Sequence, residues 1–567
     1  MKEPRSDRRI RVLLVVFGAL FLVTLGRAAW LQAVKGPSYE VMASRQHRET
    51  IEIPAGRGTI YDRTGEPLAI AEQATTVFAD PRLVDDPKTV ALRAGKALDL
   101  EPDVLYPTLR DRSTRFVYLR RKADPARAAE LQKLGLAGVG FYPEERRAYP
   151  QGKVAANVLG YAGTDNEGLD GLERLLDPQL AGRPGYEIVV KDPAGRAIDV
   201  VNSRPERPGK NVVLTLDHQL QASAEQLLST AVRRWRAKGA TAIVMDPRTG
   251  AILAMANAPT FDVNGFTTAP AEARRNRAVT DLYEPGSTFK IVTVAAALED
   301  NVVAPDSSFV LAPTIKVADR VIREAHTRGT ERMSVRQILA ESSNVGTVTL
   351  AQRLGGSALA SWIDRFGFGS TTGSELPGES AGMVLPYGSW SGSTIGTVPI
   401  GQGIAVTPLQ MVSAYAAIGN GGVMPPAHVI SRIGGKKVRH GGGRRIVSER
   451  TADRMTAMFR DVVVEGTGTE AAIPGYTVAG KTGTANKVEN GVYASKYVAS
   501  FVGLVPARKP RLAILVMVDE PKGQIWGGVV AAPLFRDIAR FALQYLEVPP
   551  DAPESKPALR FAAAQAN

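Results

Sequence analysis

Residues 285–300 read PGSTFKIVTVAAALED, a turn followed by an apolar run. Pro285 and Gly286 end an extended approach, and the run after them predicts a helix whose first turn contains Ser287. Because Ser287 and Lys290 are three residues apart, they share one face of that helix, with about 5–6 Å between their Cβ atoms. A helix N-terminus also offers free N–H groups to a developing oxyanion. The stretch therefore predicts a serine nucleophile beside a lysine.

That lysine can act as a base only if its pKa is lowered. A free lysine has a pKa of about 10.4, and lowering it by about three units requires roughly 4 kcal/mol. Burial among apolar residues and a second nearby cation can supply this free energy, and Lys481 is the candidate cation. We therefore predict that Lys290 is the base that activates Ser287.

A second string, SSN, occupies Ser342–Asn344. Ser342 and Asn344 alternate with Ser343, so both can face one way while Ser343 faces another. The Ser342 hydroxyl can relay a proton to a leaving amine. The Asn344 amide can both donate and accept, which suits it to hold Lys290 and a substrate amide.

A third string, KTGT, occupies Lys481–Thr484 just after alternating residues that predict a strand. Lys481 and the hydroxyls of Thr482 and Thr484 suit a terminal carboxylate. Gly483 lets the strand lie close to a ligand backbone. The backbone N–H groups of Thr484 and Ser287 can together form an oxyanion hole. Each string is weak alone, but their order and local context make a strong combined signal.

Composition narrows the classes of function. The chain has 567 residues, of which 44% are hydrophobic and 22% charged, an ordinary globular balance with room for two or more domains. The net charge of +13 fits an anionic surface or polymer, but no nucleic-acid-binding signature accompanies it, so no nucleic acid partner is expected. The absence of cysteine excludes disulfides and thiolate metal sites. The five histidines show no metal-ligand spacing, and no GxSxG elbow suggests a Ser-His-Asp hydrolase.

The N-terminus combines a basic flank with an apolar run. The run, residues 12–34, is interrupted by Arg27 but is long enough to span a membrane, which takes about 20 residues. Because basic flanks stay cytoplasmic, residues 1–11 are predicted to be a cytoplasmic tail and the chain after Val34 to lie outside. A cleaved signal peptide is the alternative, but GRAAWLQ (Gly26–Gln32) makes a poor cleavage site, so a retained anchor is favoured.

Two modules and a tail follow the anchor. Residues 35–205 open with extended, alternating segments and contain a helix near Pro125–Leu134. The second module, residues 206–548, predicts a helix capped by Asp217 and ending at Gly239, a hairpin over Thr241–Asn257, apolar strands over Tyr497–Pro506 and Arg511–Glu520, and a helix over Pro533–Leu546. Strands at both ends with helices between them predict one mixed α/β domain whose sheet joins its termini. Residues 549–567 are predicted to be disordered.

Longer stretches extend the three strings into a resemblance that runs from the anchor to about residue 548. They are RGTIYDRTGEPLA (Arg57–Ala69), RRAYPQGKVAANVLGYAG (Arg146–Gly163), GATAIVMDPRTGAILAMANAPTFDVN (Gly239–Asn264), NRAVTDLYEPGSTFK (Asn276–Lys290), ESSNVG (Glu341–Gly346), AGKTGTANK (Ala479–Lys487) and GGVVAAPLF (Gly527–Phe535). The chain resembles the class B penicillin-binding proteins, most closely the septal cell-division type (FtsI type), whose ordered motifs are SxxK, SxN and KTG.

The resemblance implies an α/β (α+β) multi-domain fold with a transmembrane helix, a mostly-β pedestal of the dimerisation type over residues 35–205, and a transpeptidase domain over residues 206–548. That domain would have a central antiparallel sheet flanked by helices. The implied reaction is peptidoglycan cross-linking, in which a serine acyl-enzyme forms on a D-Ala-D-Ala donor stem peptide and an acceptor amine resolves it. β-Lactams would acylate the same serine, and no metal or organic cofactor is needed. The implied catalytic residues are Ser287, Lys290, Ser342, Asn344 and Lys481, and Thr482, Gly483 and Thr484 bind substrate or β-lactam.

The resemblance also implies a location and partners. The protein would be a single-pass protein of the cytoplasmic (inner) membrane with a periplasmic catalytic domain, working with a SEDS glycosyltransferase of the FtsW type and other divisome proteins. SSN and YEPGST favour the division type, because elongation-type relatives often carry Ser-Cys-Asp and YPPGST there. An elongation-type transpeptidase, a D,D-carboxypeptidase and a divisome scaffold with a relic site stay open as alternatives. A class A β-lactamase is disfavoured because the chain has no Glu-x-x-Leu-Asn string.

Overall fold

The fold is described from a computed structural model in residues 5–35, 48–191, 197–489 and 491–552. Contacts divide the chain into two compact units. The first unit comprises Met1–Gly56 and Gly182–Gly209, and the second comprises Arg57–Ala181 and Lys210–Asn567. The predicted disordered tail falls outside the described residues from residue 553 onward.

The described helices and strands alternate along most of the chain. The α-helices are α1 (Arg5–Trp30), α2 (Pro87–Leu98), α3 (Pro102–Arg110), α4 (Pro125–Lys133), α5 (Ala156–Leu159), α6 (Gly171–Leu175), α7 (Asp177–Leu180), α8 (His218–Trp235), α9 (Ala271–Arg274), α10 (Arg277–Thr280), α11 (Lys290–Glu299), α12 (Val335–Ala340), α13 (Asn344–Leu354), α14 (Gly356–Arg365), α15 (Thr394–Thr397), α16 (Pro408–Gly419), α17 (Glu449–Val464), α18 (Gly527–Val530) and α19 (Ala532–Tyr545). The strands are β1 (Arg48–Ile53), β2 (Ile60–Tyr61), β3 (Pro67–Ala79), β4 (Val117–Ala123), β5 (Val139–Ala148), β6 (Gly185–Lys191), β7 (Ala197–Arg204), β8 (Val212–Leu214), β9 (Gly239–Met245), β10 (Ile252–Ala258), β11 (Ser308–Leu311), β12 (Thr314–Val317), β13 (Arg320–Arg323), β14 (Glu331–Ser334), β15 (Val423–Met424), β16 (Ile430–Ile433), β17 (Lys436–Lys437), β18 (Arg444–Arg445), β19 (Ala479–Glu489), β20 (Val492–Val505) and β21 (Leu512–Asp519). Short 3-10 helices cover Val263–Thr268, Gly286–Phe289, Tyr387–Ser389, Val398–Ile400 and Thr469–Ala471.

The first unit contains a long apolar helix and a small sheet. Helix α1 continues into a π-helical turn, Leu31–Lys35. Within the described part of the chain, Arg8–Lys35 is the one helical segment long and apolar enough to cross a membrane, and an 18-residue stretch of it has a mean hydropathy of 2.3. It contains the predicted anchor, and its apolar side chains are exposed. Strands β1, β6 and β7 form an antiparallel sheet with β6 in the middle.

A five-stranded antiparallel sheet organises the second unit. Its strand order is β10-β9-β21-β20-β19, so strands near both ends of the second predicted module pair with one another. All eight residues of β21 are buried, because helices cover both faces of the sheet. Helices α8 and α19 pack on the face that carries Ala242 and Val244. Helices α11, α16 and α17 pack on the face that carries Ile243 and Met245.

Most predicted elements of this unit are confirmed. Helix α8 begins after Asp217, whose side chain accepts hydrogen bonds from the backbone N–H groups of Gln219 and Leu220. The hairpin, the two apolar strands and the last helix correspond to β9–β10, β20–β21 and α19. The predicted C-cap at Gly239 is wrong: α8 ends at Trp235, its C-cap is Arg236 in the left-handed conformation (φ 45°), and Gly239 begins β9.

A second sheet joins the two predicted modules. It has the order β17-β16-β8-β2-β3-β4, and β5 pairs with β3. Strands β2 and β8 are parallel, with Ile60 opposite Val212. This pairing keeps residues 57–181 in the same compact unit as residues 210–552. The predicted boundary between residues 205 and 206 stays a prediction.

Candidate active site

Ser287 lies in a tight turn that is held from two sides. The helical segment begins as a 3-10 turn, Gly286–Phe289, and becomes α-helical at Lys290, so Ser287 precedes the first α-turn rather than lying within it. Gly286 has φ +54°, and a Cβ there would lie 3.0 Å from the Thr484 carbonyl oxygen. The Gly286 N–H donates to the Gly401 carbonyl at 3.1 Å. The serine turn therefore sits directly against β19.

Lys290 connects this turn to the SSN string. Its side chain is fully buried, and Nζ lies within hydrogen-bond distance of three oxygens, namely the Ser342 carbonyl at 2.6 Å, Ser342 Oγ at 3.2 Å and Asn344 Oδ1 at 2.8 Å. Among the described residues, no hydrogen bond links Nζ to Ser287 Oγ. Lys290 therefore has three neutral hydrogen-bond partners and no carboxylate partner in the described part of the chain.

Burial lowers the pKa of Lys290 well below its ordinary value of 10.5, and the charge of Lys481 lowers it further. These are the two causes that the sequence predicts. Arg328 also lowers this pKa, and Glu324 raises it. The balance of these charges favours a neutral amine.

The SSN string forms the turn that starts α13. Ser342 has φ +60°, a strained conformation for a residue other than glycine, and presents both its carbonyl and its hydroxyl to Lys290. Ser343 is buried and faces away, where its hydroxyl caps α13 by accepting from the Gly346 N–H. The predicted alternation of these side chains is therefore confirmed.

The KTGT string lies on β19, the strand at one edge of the five-stranded sheet. Burial lowers the pKa of Lys481 to about 7. Its Nζ is 3.2 Å from Thr482 Oγ1 and 3.4 Å from Thr467 Oγ1, and these two hydroxyls are 2.7 Å apart. Thr484 Oγ1 accepts from the Gly527 N–H at 3.0 Å. The strand thus brings a weakly basic lysine and two hydroxyls to the edge beside Ser287.

Gly483 is required for a reason that the sequence does not reveal. A Cβ at this position would lie 2.4 Å from Ser500 Oγ on the neighbouring strand. The glycine is therefore needed for packing within the sheet, whatever its role toward a ligand.

Two polar residues of the site lie outside the predicted set. Thr467 is flanked by Gly466 and Gly468, a pattern that marks a tight loop but carries no chemical signal. Glu324 accepts hydrogen bonds from Ser343 Oγ and from the Asn344 N–H. It lies 20 residues before Asn344, in a segment without periodicity, so no local pattern could have identified it.

A cluster of possible metal ligands lies away from these strings. Donor atoms of Asp62, Asp217 and His218 lie within 4.8 Å of one another. Sequence spacing could not show this, because Asp62 is 156 residues from His218. Hydrogen bonds already use these groups: His218 Nδ1 is 2.7 Å from Asp62 Oδ2, and Arg63 Nη1 is 2.9 Å from Asp217 Oδ2. These polar contacts therefore connect the end of β2 to the start of α8, which fits a structural role.

Known proteins resemble this chain over nearly its whole length. Residues 240–540 match the family "Penicillin binding protein transpeptidase domain". Residues 52–214 match the family "Penicillin-binding Protein dimerisation domain". The probable peptidoglycan D,D-transpeptidase PenA of Neisseria gonorrhoeae is 35% identical over 99% of this chain and 97% of its own length. The peptidoglycan D,D-transpeptidase FtsI of Escherichia coli K12 is 35% identical over 93% of this chain and 90% of its own.

Solved structures agree with these relatives. The crystal structure of penicillin-binding protein 3 from Mycobacterium tuberculosis, complexed with aztreonam, superposes with a TM-score of 0.70 at 31% identity, covering 89% of this chain and all of that one. A peptidoglycan synthetase from Bifidobacterium adolescentis gives a TM-score of 0.73 at 27% identity, with 90% and 98% covered. The predicted fold class is confirmed. The chain belongs to the class B penicillin-binding proteins, a family of peptidoglycan D,D-transpeptidases, and residues 240–540 are its transpeptidase domain.

Proposed function

We propose that this chain cross-links peptidoglycan stem peptides at the division septum through an acyl-enzyme on Ser287. The single observation that carries the proposal is the environment of Lys290. This lysine is fully buried, is bonded only to neutral oxygens among the described residues, and follows Ser287 by one helical turn. Such an environment favours the neutral amine, which is the form that can take a proton from a serine hydroxyl.

The acylation step uses the three strings together. Ser287 Oγ attacks the carbonyl carbon of the D-Ala-D-Ala bond while its proton moves to Lys290 Nζ. The backbone N–H groups of Ser287 and Thr484 stabilise the oxyanion. The C–N bond then breaks, and the leaving D-Ala amine takes a proton from Lys290 by way of the Ser342 hydroxyl, which Nζ already contacts at 3.2 Å. The products are a Ser287 ester and free D-Ala.

Deacylation reverses the proton path. The amine of an acceptor stem peptide loses a proton through the same groups and attacks the ester carbon, and Ser287 leaves as a regenerated hydroxyl. The new amide bond joins two glycan strands. Asn344 holds Lys290 through its Oδ1, 2.8 Å from Nζ, in both half-reactions. No proton is gained or lost over the whole cycle.

Lys481, Thr482 and Thr484 bind the terminal carboxylate of the donor. A carboxylate beside Lys481 favours the charged ammonium, so substrate binding raises the lowered pKa of this lysine. β-Lactams carry an acyl group and a carboxylate in a similar arrangement and acylate the same serine. In support, the penicillin-binding protein 3 structure was solved in complex with aztreonam.

The septal assignment rests on sequence context. SSN and YEPGST match the division type, and FtsI of Escherichia coli is a relative over nearly the whole chain. The basic residues ahead of the apolar run, Lys2, Arg5, Arg8, Arg9 and Arg11, favour a cytoplasmic N-terminus, with the chain after Val34 outside the membrane. There the chain works with an FtsW-type glycosyltransferase and other divisome proteins.

Covalent labelling of the full-length protein with a fluorescent penicillin, followed by mass mapping, tests the chemistry. We expect a stable adduct on Ser287 that is absent from Ser287→Ala. The matched control is Ser361→Ala, which removes an exposed serine hydroxyl and should label as wild type does. An adduct on another residue, or no adduct in the wild type, would contradict the acyl-enzyme.

Complementation of cells depleted of their septal transpeptidase tests the location of the reaction. We expect the wild type, but not Ser287→Ala, to restore division. Rescue by Ser287→Ala would indicate a scaffold. Rescue of elongation instead of septation would indicate the elongation type.

A further inference from the structure

Glu324 contacts the SSN turn with both of its carboxylate oxygens. It follows β13 directly and is half-buried. Oε1 accepts from the Ser343 hydroxyl, and Oε2 accepts from the Asn344 N–H at 2.7 Å. Charge-assisted bonds of this kind are stronger than those between neutral groups, particularly where one partner is fully buried, as Ser343 is.

The neighbouring backbone fixes the orientation of the Asn344 amide. The carbonyl of Arg323 accepts from Asn344 Nδ2 at 3.0 Å. Because a carbonyl can only accept, the amide nitrogen must face Arg323, and Oδ1 must face Lys290. The end of β13 therefore holds Asn344 by its main chain and by its side chain at once.

The turn that Glu324 holds is a strained one. Ser342, with φ +60°, must keep this conformation for its carbonyl and hydroxyl to reach Lys290 Nζ together. A left-handed conformation at such a residue persists only where neighbouring contacts enforce it. The hydrogen bonds that Ser343 and Asn344, the two residues after Ser342, donate to the Glu324 carboxylate are suited to that task.

We propose that Glu324 is a positioning residue of the transpeptidase: its carboxylate locks the SSN turn so that Ser342 and Asn344 aim their oxygens at Lys290. The inference rests on the proposed acyl-enzyme function. Glu324 acts through Ser343 and Asn344 and does not touch the substrate.

Glu324 also acts on Lys290 through its charge. The charged groups that bear on Lys290 are Lys481, Arg328 and Glu324, and Glu324 is the one among them that favours the protonated lysine. Arg328 is itself paired with Glu341 at 3.1 Å. Removing the Glu324 carboxylate therefore favours the neutral form of Lys290 and shifts the acidic limb of the acylation rate to lower pH.

The test is the second-order rate constant of acylation by a fluorescent penicillin, measured from pH 5 to pH 10 on full-length protein. The variants are Glu324→Ala, Glu324→Gln and, as matched control, Glu331→Ala, which removes an exposed glutamate of β14. The labelling amplitude at saturation gives the folded, active fraction, and rate constants are referred to that fraction.

For Glu324→Ala we expect a loss of about 10- to 100-fold, the range found when a group that orients a metal-binding side chain is removed. For Glu324→Gln we expect a smaller loss, because the amide oxygen still accepts from the Asn344 N–H. In both variants the acidic limb should move to lower pH, and Glu331→Ala should match the wild type. If Glu324 only supported the turn and its charge did not act on Lys290, the substitutions would lower the acylation rate constant by the same factor at every pH.

Wild-type rates in both Glu324 variants would overturn the inference, as would a loss with an unmoved acidic limb. If Glu324→Ala does not fold, Glu324→Gln decides by its pH profile alone. Labelling of Ser287 in the wild type distinguishes failure of the Glu324 inference from failure of the proposed acyl-enzyme function. If the wild type forms no adduct at Ser287, the acyl-enzyme proposal fails first.

Discussion

Two sets of buried ionisable residues in the second unit differ in whether their cations have carboxylate partners. Around Arg57, cations and carboxylates are matched: its guanidinium binds Glu173 and Asp177, each at 2.7 Å, and Arg147 binds the other oxygen of Glu173 at 2.6 Å. Burial alone would lower the pKa of Arg57, but its two carboxylate partners raise it above the ordinary value. Lys290 is also buried, but it bonds to neutral oxygens and has its pKa lowered.

We expect the Arg57 cluster to contribute to the stability of the fold and Lys290 to contribute to the reaction. In a matched ionic cluster the side chains stay charged. Removing any one of them is strongly destabilising, because it leaves a buried charge without a partner. Buried lysines without a carboxylate partner are held in a form that would be unfavourable in water, and proteins keep such groups where a reaction needs them. The Arg57 cluster and the Lys290 site should therefore respond in opposite ways to mutation.

The largest effect is expected at Lys290. Lys290→Met keeps the length of the side chain and removes its amine, so acylation by a fluorescent penicillin should fall by about 10²- to 10⁴-fold. The thermal unfolding midpoint should stay the same or rise, because a buried amine has been removed. Lys290→Arg should lose the same activity and also stability, since a guanidinium stays charged when buried.

The matched control is Lys316→Met, which removes an exposed lysine of β12. Its acylation rate should equal that of the wild type. If Lys290→Met were acylated at the wild-type rate, Lys290 would not be the base that activates Ser287.

The next largest effect is expected in the Arg57 cluster. Arg57→Met leaves the buried Glu173 with one cation fewer, and the free energy of unfolding should fall by about 3–5 kcal/mol. Urea titration measures this change. The acylation rate constant of the folded fraction should not change, and a selective loss of activity would show that the cluster serves the active site directly.

Glu225 offers an intermediate case, a buried carboxylate that has no cationic partner among the described residues. Burial raises its pKa to about 7, although Gln221 and the Ala155 N–H donate to it. The folded state then binds more protons than the unfolded state between pH of about 4.5 and 7, so this group lowers stability as the pH rises through that range. The cost above pH 7 is about 3 kcal/mol.

Glu225→Gln should remove this cost. The variant should be more stable than the wild type at pH 8 by up to about 3 kcal/mol, with the difference vanishing near pH 4.5. Urea titrations at the two pH values test this, with the exposed Glu130→Gln as control. A difference that does not depend on pH would mean that Glu225 stays ionised in the folded protein.

The smallest effect is expected for an exposed pair beside the matched cluster. Arg146 binds Glu72 at 2.9 Å, but the two side chains are 46% and 38% exposed. Arg146→Met should change the free energy of unfolding by less than about 1 kcal/mol, because water and salt screen such pairs. A loss as large as that of Arg57→Met would mean that burial does not explain the contrast.

The sequence could predict the parts of this site that local patterns encode. Helical spacing puts Lys290 one turn after Ser287. Alternation puts Ser342 and Asn344 on the side that contacts Lys290. The sequence reveals β21 and the second half of β20, Val498–Val505, because these segments are buried on both faces and therefore consist mainly of apolar residues.

The remaining parts depend on contacts between distant segments. Nothing near Glu324 or Thr467 distinguishes them from other polar loop residues, and only folding brings them to Asn344 and Lys481. The ending of α8 was misjudged because Arg236 takes the left-handed conformation that the sequence led us to expect of a glycine.

The parallel pairing of β2 with β8 has a consequence for the order of synthesis. Thr59, next to β2, donates its backbone N–H to the side-chain oxygen of Asn211, 152 positions later, and β9 pairs on one side with β21 near the other end of the chain. Contacts so distant in sequence form slowly, because the loop between them must first be closed. The newly made chain must therefore wait, with strand edges exposed, until almost all of it has emerged, and during that interval it is open to aggregation and to chaperones.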